Sequence, residues 1–444
     1  MKTNSDEMHN QEMLLKKIRQ SSEVFDKLAN SYEVWVPESG WLAGRRNRDK
    51  NDSKRKNLTD WSILSFLLEI DNCHYPMADS YLQYGIDGVI RIAAETLETL
   101  KNNLQSELQD QTQLDIAYLE SLLHVWKRFR QFVADHMVLA LECVKQETSD
   151  TKKKRYEKIA KICQNLTINK PNTFCEALQL FWFTYLFRSP FGAGCIGRLD
   201  QLLYPFYKHD CEMGIWDQQE AEKMLEEMFT RMNEINTGDT LRNLMLSGQD
   251  AKGNDQTNEI TYLILVAYEN TGGSEPHLNV RFHEKTPKKL RDNCINMLSS
   301  GSGQPTIYFD EAVLPAMEKA GICHEDACQY ANDGCTETVI AGKSAIVFWQ
   351  YEMVKTVELT LFGGNENPCV KPVSMKKNSI HGVDFVPKTN LLIGIESKKT
   401  QELTTFSEFL SAFFEQMDHQ LDHYFLMIKQ KMQEETEAQI TTQG

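Results

Sequence analysis

His277-Leu278-Asn279-Val280-Arg281-Phe282 alternates polar and apolar side chains, as a β-strand with two distinct faces does. Segments with helical periodicity precede and follow it, and strands that alternate with helices indicate βα units and a parallel sheet. The neighbouring elements predicted from the same patterns are a strand at 244–246, a helix over 254–267, a helix over 287–298, a strand at 304–308 and a helix over 310–320. The fold class predicted for this part of the chain is α/β.

Upstream, the patterns are mainly helical. Thr173 and Glu176 form a capping-box pattern before a strongly apolar segment, which marks the start of a helix. The predicted helices comprise two or three long ones within 81–144, one over 174–187 and one over 217–233. A charged connection is predicted at 145–156 and a glycine-rich loop at 188–198.

The predicted organisation has three parts. A polar segment (1–60), with an exposed basic loop at 45–56, precedes a mainly helical part (61–235) and an α/β part (236–444). The elements predicted near the end of the chain are a helix over 345–361, a loop over 363–388, an amphipathic helix from residue 405 and a polar tail over 430–444.

Composition limits the class of protein. The 444 residues carry a formal net charge of −15, which argues against a nucleic-acid-binding surface because such a surface needs a basic excess. No apolar run approaches the ~20 residues of a membrane span, and the polar start of the chain has no secretory signal. Eleven cysteines without a C-x-x-C pair predict reduced thiols in a cytoplasmic protein without structural zinc. A metal-dependent hydrolase is disfavoured because no ligand cluster has the right spacing.

Asn332-Asp333-Gly334-Cys335-Thr336-Glu337 places a thiol two residues before a carboxylate. Asn-Asp-Gly is typical of turns, so the cysteine is predicted at the tip of a connection, where parallel α/β sheets bind ligands. A thiol can give up a hydrogen atom, and a nearby carboxylate can take or return a proton. Cys335 and Glu337 are the candidate catalytic residues, although an isolated cysteine is more often a small buried apolar residue.

Three further residues are candidates for substrate binding. His74 lies in a predicted loop, where a lone histidine is usually a surface residue. Arg281 and His283 lie on the same face of the predicted strand. An arginine inside the fold needs an anionic partner, because an unpaired buried charge is costly. Asp310, at the start of a predicted helix, is explained by the favourable interaction between a negative side chain and a helix N-terminus.

Several segments resemble the glycyl radical superfamily, the pyruvate formate-lyase-like enzymes. Thr173-Phe174-Cys175-Glu176-Ala177-Leu178-Gln179 is similar to the family's T-F-x-E-A-L-Q helix. The other similar segments are 197–207, 243–259, 276–283 and 301–311, together with His74-Tyr75-Pro76. The resemblance implies part of a ten-stranded α/β barrel, its first half-barrel, with a helical N-terminal region, as one continuous but truncated domain.

The resemblance also implies roles for the thiol segment. Cys335 would be the thiyl-radical cysteine, and Glu337 the acid/base carboxylate, of a lyase or dehydratase that cleaves a C–O, C–N or C–C bond of a small polar substrate. The sequence has Gly334 where pyruvate formate-lyases proper have a second cysteine, which argues against formate acetyltransferase activity. Thr338 replaces the usual proline after the glutamate, so no known branch is matched fully.

The family's radical glycine has no match in this sequence. Only 109 residues follow Cys335, and none of their glycines lies in an R-V-x-G-Y/F loop. The implied cofactor is not a bound molecule but an organic glycyl radical from a missing C-terminal half, installed by a radical SAM activating enzyme. We therefore predict that the chain alone is inactive.

The implied partners are a small-molecule substrate, the radical SAM activase, a second chain carrying the glycyl radical and further copies of this chain, with neither nucleic acid nor membrane. The alternative is a non-catalytic protein that keeps the half-barrel for binding or assembly.

Overall fold

The structure is a computed structural model that describes residues 4–45, 78–102, 109–188, 194–234, 242–272, 275–334, 336–344, 353–365, 394–396 and 402–443. The chain divides into two compact units, Met1–Ile346 and Val347–Gly444. The helices of the first unit are α1 (Asn4–Ser31), α2 (Ala78–Asn102), α3 (Gln109–Gln146), α4 (Asp150–Ile168), α5 (Phe174–Arg188), α6 (Leu199–Glu212), α7 (Gln218–Glu234), α8 (Glu259–Thr271), α9 (Lys288–Ser299), α10 (Asp310–Lys319) and α11 (His324–Ala327). Its strands are β1 (Gly194–Gly197), β2 (Arg242–Ser247), β3 (His277–Phe282), β4 (Thr306–Phe309), β5 (Ala331–Asp333) and β6 (Glu337–Val339).

The predicted parallel sheet is confirmed. Strands β1, β2, β3 and β4 lie side by side in that order, all parallel. Their apolar residues on one face, among them Leu244, Leu246, Leu278 and Val280, belong to the main hydrophobic core, which they share with the helices. Alternation along a strand sends the remaining residues to the opposite face of the sheet.

Helix α5 is largely buried in the main hydrophobic core. Its start is capped as predicted, because Glu176 N donates to Thr173 Oγ1 at 3.2 Å and Thr173 N donates to Glu176 Oε2 at 3.3 Å. The apolar residues of the helix are buried in the main core, and α1 contributes Phe25 and Leu28 to the same core. The segment 1–60, predicted as polar, therefore carries a buried apolar face at Phe25 and Leu28.

Two predicted connections in the helical part are wrong. Most of the segment 145–156 is helical, since α3 ends at Gln146 and α4 begins at Asp150. Its lysines and glutamates are good helix formers, and the buried side chains of α4 recur at helical spacing. They are Tyr156, Ile159, Ala160, Ile162, Cys163 and Leu166. The predicted loop at 188–198 contains β1, which was missed because glycines normally indicate turns.

Other boundaries shift. The helix predicted from residue 254 begins at Glu259, because Asn258 caps it by accepting from Ile260 N and Thr261 N. The two predicted domain boundaries, at 60/61 and 235/236, lie outside the described residues and stay predictions, as does the basic loop at 46–56.

The second unit contains two helices among its described residues, α12 (Met353–Leu361) and α13 (Phe406–Gln443). They pack together, and buried Thr356 Oγ1 donates to Gln420 Oε1 at 3.0 Å. The helix continues through the predicted polar tail as far as Gln443, so it ends later than the pattern indicated. The first part of the helix predicted over 345–361 and most of the predicted loop over 363–388 lie outside the described residues.

His136 makes the fold sensitive to acid. The ring lies fully buried in α3 between Phe132 and Phe183, with centroid distances of 4.5 and 4.9 Å. Its Nδ1–H donates to the Phe132 carbonyl at 2.8 Å, whereas Nε2 has no hydrogen-bond partner. Burial therefore lowers the pKa of His136 from 6.5 to about 4.

We expect stability to fall as the pH falls from 6.5 towards 4, because the unfolded chain binds a proton that the folded protein does not. From pH 7 to pH 5 this group should cost about 2 kcal/mol of the free energy of unfolding. Urea unfolding at both pH values, compared with His136→Leu, measures the contribution. The variant should lose less stability on acidification, whereas Phe129→Leu, a core change that keeps His136, should lose as much on acidification as the parent chain. An equal acid-dependent loss in His136→Leu would contradict this assignment.

Candidate functional site

The thiol segment lies in a β-hairpin. Strands β5 and β6 are antiparallel, with Asp333 opposite Glu337, and Cys335 lies between them in sequence but outside the described residues. Asn332 and Asp333, predicted as turn residues, belong to β5 and are buried. The prediction of a connection is confirmed for Gly334 and Thr336, which are both turn residues. We call residues 334–336, between the two strands, the thiol turn.

The hairpin covers the sheet face that is turned away from the main core. Strand β5 contacts β1 and β2. Its apolar neighbours form a second buried cluster that includes Cys195, Met245, Tyr330, Ala331 and Val339. Cys195 and Met245 alternate with main-core residues along their strands, so the hairpin packs on the sheet face opposite the main core.

The Glu337 side chain lies against the backbone of the thiol turn. Gly334 has a φ of +56°, and a Cβ at this position would lie 2.5 Å from Glu337 Oε2. Any larger residue would both strain the backbone and collide with the carboxylate. Thr336 N donates to Glu337 Oε2 at 3.1 Å. The structure thus places the candidate acid/base carboxylate next to the residue that precedes Cys335.

Arg281 forms a fully buried ion pair with Asp310. Its Nε and Nη2 donate to the two carboxylate oxygens at 2.8 and 2.9 Å, which confirms that an interior arginine here needs an anionic partner. Nη1 donates to the carbonyls of Cys328 and Tyr330 at 2.9 and 3.3 Å. The guanidinium also lies 4.1 Å from the centre of the Tyr330 ring. Arg281 therefore ties β3 to the segment that leads into the hairpin.

The same ion pair organises a neighbouring loop. Asp310 Oδ2 also accepts from Gln249 N at 3.0 Å, and Tyr330 O–H donates to Asp310 Oδ1 at 3.1 Å. Burial raises the pKa of Tyr330, so its hydroxyl keeps the proton that it donates. Gly248 has a φ of +101°, and a Cβ there would lie 2.5 Å from Arg281 Nε, so only glycine leaves room for the guanidinium.

His283 follows β3 and forms a hydrogen bond with Asp255, in the same loop as Gln249. Its Nε2–H donates to Asp255 Oδ1 at 2.9 Å, and Nδ1 accepts from Lys285 N at 3.4 Å. His283 and Arg281 are both buried, as their shared strand face predicts. His74 lies outside the described residues. The substrate-binding roles of these three residues stay predictions.

Arg198 is a second buried arginine behind the hairpin, and its role was not recognised from the sequence. It donates to the carbonyls of Cys328 and Ser247 at 3.3 and 2.9 Å and to Gln256. Nearby Asp200, whose pKa is raised by burial, accepts from Ser247 N at 2.8 Å. Arg198 and Asp200, in the segment 197–207 that resembles the family, therefore bind the loops around the sheet.

Two asparagines were also missed. Asn243 Nδ2 donates to the Gly334 carbonyl at 2.7 Å, and Asn279 Nδ2 donates to Asn243 Oδ1 at 2.9 Å. Both asparagines are fully buried on strands. Asparagine is rare in strands, so its presence at position 243 and at position 279 was the sequence feature that could have drawn attention to them. It indicates a specific hydrogen-bond partner but does not identify that partner.

A cleft of about 810 Å³ is lined by Trp35, Trp41, Glu227 and Arg231 among others, none of them from the hairpin. Glu227 accepts from Trp41 N, and Arg231 donates to the Gly44 carbonyl, so these charges hold the segment before residue 45. Among the described residues no group of histidine, cysteine and carboxylate side chains is arranged to hold a metal ion. In the same part of the chain no helix has the length and apolar character required to cross a membrane.

Comparisons with known proteins agree with this architecture. Residues 73–440 match the family described as pyruvate formate lyase-like. The chain is 31% identical over 301 residues to the trans-4-hydroxy-L-proline dehydratase of Clostridioides difficile, covering 64% of this chain and 36% of that protein. It is 30% identical over 275 residues to the (2S)-3-sulfopropanediol dehydratase of Klebsiella oxytoca, covering 58% and 33%.

A solved structure shows the same fold. The glycerol-bound form of the B12-independent glycerol dehydratase from Clostridium butyricum matches with a TM-score of 0.69 at 19% identity, over 94% of this chain and 62% of that one. The predicted fold class, α/β and part of the family's barrel with a helical N-terminal region, is confirmed. The chain spans about a third of the length of the curated relatives it matches. It belongs to the pyruvate formate lyase-like family.

Proposed function

We propose that this chain supplies the thiol-bearing part of the active site of a glycyl radical lyase or dehydratase. The observation that carries the proposal is the hairpin that brings Glu337 against Gly334, the residue before Cys335, on the sheet face opposite the main core in a chain of this family. The relatives are named as dehydratases, sulfite-lyases and a decarboxylase glycyl radical subunit, and these names fit cleavage of C–O, C–S and C–C bonds respectively. Cleavage of a C–N bond, also implied by the resemblance, has no counterpart among these three names.

The proposed roles follow from the chemistry of the two side chains. Cys335 donates its thiol hydrogen atom and, as a thiyl, takes one from a C–H bond of the substrate. Glu337 accepts or returns the proton that accompanies loss of the leaving group. The glycyl radical supplies the oxidising equivalent, and it would come from polypeptide outside these 444 residues, after modification by a radical SAM activase.

The surrounding residues are proposed to shape the substrate site. Arg281 and His283 bond to Asp310 and Asp255, so we propose that they act by holding the loops that border the site. His74 remains the proposed direct contact. The substrate is proposed only as a small polar molecule, because most of the length of the relatives is not represented in this chain. A cytoplasmic, anaerobic setting and a homo-oligomer complete the proposal.

Anaerobic activation tests this function. The chain is incubated with a radical SAM activase, S-adenosylmethionine and reductant, alone and together with the polypeptide encoded in the adjoining reading frame. Electron paramagnetic resonance should show a glycyl doublet only in the combined sample, and that sample should turn over a member of a panel of small polyols, hydroxy acids and amino alcohols. A doublet from the chain alone would overturn the predicted dependence on a second polypeptide. A combined sample with a doublet but no turnover across the panel would favour a non-catalytic role in binding or assembly.

A further inference from the structure

We propose that Asn243 is a positioning residue for the thiol, because it holds the peptide group that joins Gly334 to Cys335. The inference rests on the proposed function for its significance, since a fixed thiol matters where the thiol reacts. Hydrogen-atom transfer depends steeply on distance, and a displacement of about 1 Å can cost about 100-fold in rate. A residue that orients this one peptide group would therefore control the reaction without touching the substrate.

The contact is made to the backbone immediately before the cysteine. Asn243 Nδ2 donates to the Gly334 carbonyl oxygen at 2.7 Å, and both residues are buried. A peptide group is planar, so the Gly334 carbonyl lies in one plane with the N and Cα atoms of Cys335. Restraining the carbonyl therefore restrains the backbone that carries the thiol. On the other side, the Glu337 carboxylate packs against Gly334.

A second asparagine fixes the orientation of the first. Asn279 Nδ2 donates to Asn243 Oδ1 at 2.9 Å, and also to the His277 carbonyl at 3.2 Å. Because Asn243 Oδ1 accepts from Asn279, the amide of Asn243 must turn its Nδ2 towards Gly334. The two residues form a relay from the backbone of β3 to the thiol turn.

Stability alone does not account for these amides. Asn279 Oδ1 and both polar side-chain atoms of buried Asn332 have no hydrogen-bond partner within the described part of the chain. A buried polar atom without a partner destabilises the folded state, whereas an apolar side chain of the same shape does not. Asn279 is present despite this cost, and the side-chain hydrogen bond that it makes is the one that orients Asn243. The retained amides therefore point to the thiol turn that one of them contacts.

The experiment measures the reactivity of Cys335 in the full 444-residue chain. Iodoacetamide alkylation is followed by peptide mass spectrometry, with exposed Cys211 and Cys323 as internal references. In Asn243→Leu we expect Cys335 to react about fivefold faster, the population change that loss of one buried hydrogen bond produces. In Asn243→Asp, whose ionised carboxylate cannot donate to the Gly334 carbonyl, we expect an acceleration of the same order. Cys211 and Cys323 should be unchanged in both variants.

The control is Leu246→Ala, on the same strand but on the face turned to the main core. It should lower stability without changing the rate at Cys335 relative to the references. An equal acceleration in Leu246→Ala, or a Cys335 rate in Asn243→Leu within about twofold of the parent, would overturn the proposal. If Asn243→Leu does not fold, Asn279→Leu takes its place, and an unchanged Cys335 rate in that folded variant has the same consequence. The readout uses no radical chemistry, so its result is independent of whether the complex turns over.

Discussion

Asp310→Ala is expected to lower the free energy of unfolding of the first unit by about 3–5 kcal/mol, the cost of leaving one partner of a buried ion pair alone. The Arg281 guanidinium would keep its charge in a site where both side chains are fully buried. Tyr330 O–H and Gln249 N would also lose the acceptor that they share. Three parts of the chain would therefore lose their common attachment point.

Urea unfolding followed by circular dichroism measures this effect. Asp292→Ala is the matched control, because Asp292 pairs with Lys288 at 2.6 Å on the surface and its loss should cost no more than about 1 kcal/mol. The double variant Arg281→Met with Asp310→Leu should recover much of the loss, since it removes both charges and keeps apolar volume. A loss of less than about 1 kcal/mol in Asp310→Ala would contradict the assignment of a structural ion pair.

Cys335→Ser is expected to reduce turnover of the activated complex to background while the glycyl doublet still forms. The oxygen–hydrogen bond of serine is much stronger than the sulfur–hydrogen bond of cysteine, so the hydroxyl does not donate a hydrogen atom to the radical. Electron paramagnetic resonance and product analysis on the same sample separate the two steps. Glu337→Gln, which keeps the shape of the side chain but removes the acid, should lower kcat by about 10²–10⁴.

Cys323→Ser and Cys211→Ser are the controls for the loss of a thiol elsewhere, because both cysteines are exposed and lie outside the hairpin. They should leave turnover unchanged. Turnover retained by Cys335→Ser would remove this residue from the mechanism. Loss of the doublet together with turnover would instead indicate that the variant fails to assemble with the activated polypeptide.

Local patterns predicted most of the fold because the signals are local. Strand β3 was predicted with its observed ends, and α5 was predicted from its first residue, since alternation and capping depend on neighbours a few positions away. The errors arose where a segment carried two patterns that predict different structures. The charged start of α4 hid its buried face, and the glycines of β1 were taken for a loop.

The candidate site was predictable only in part. Glu337 beside the thiol turn follows from a spacing of two residues, and the need of Arg281 for an anion follows from the cost of a buried charge. The sequence did not show that this anion is Asp310. The position of Asp310 at the start of α10 already explained its negative charge, so no distant partner was sought for it. One residue can both favour a helix N-terminus and pair with a residue distant in the sequence. Sequence patterns reveal only the local role.

The family, the α/β alternation and the cysteine–glutamate pair could be predicted from the sequence, because each depends on residues that are close along the chain. Which side chains hold the thiol turn became visible only in the folded structure. Asn243 and Gly334 are 91 positions apart and meet only because β5 folds against β2. Such contacts depend on strand register and on which face each residue presents, and these are set when the whole sheet and its hairpin pack together.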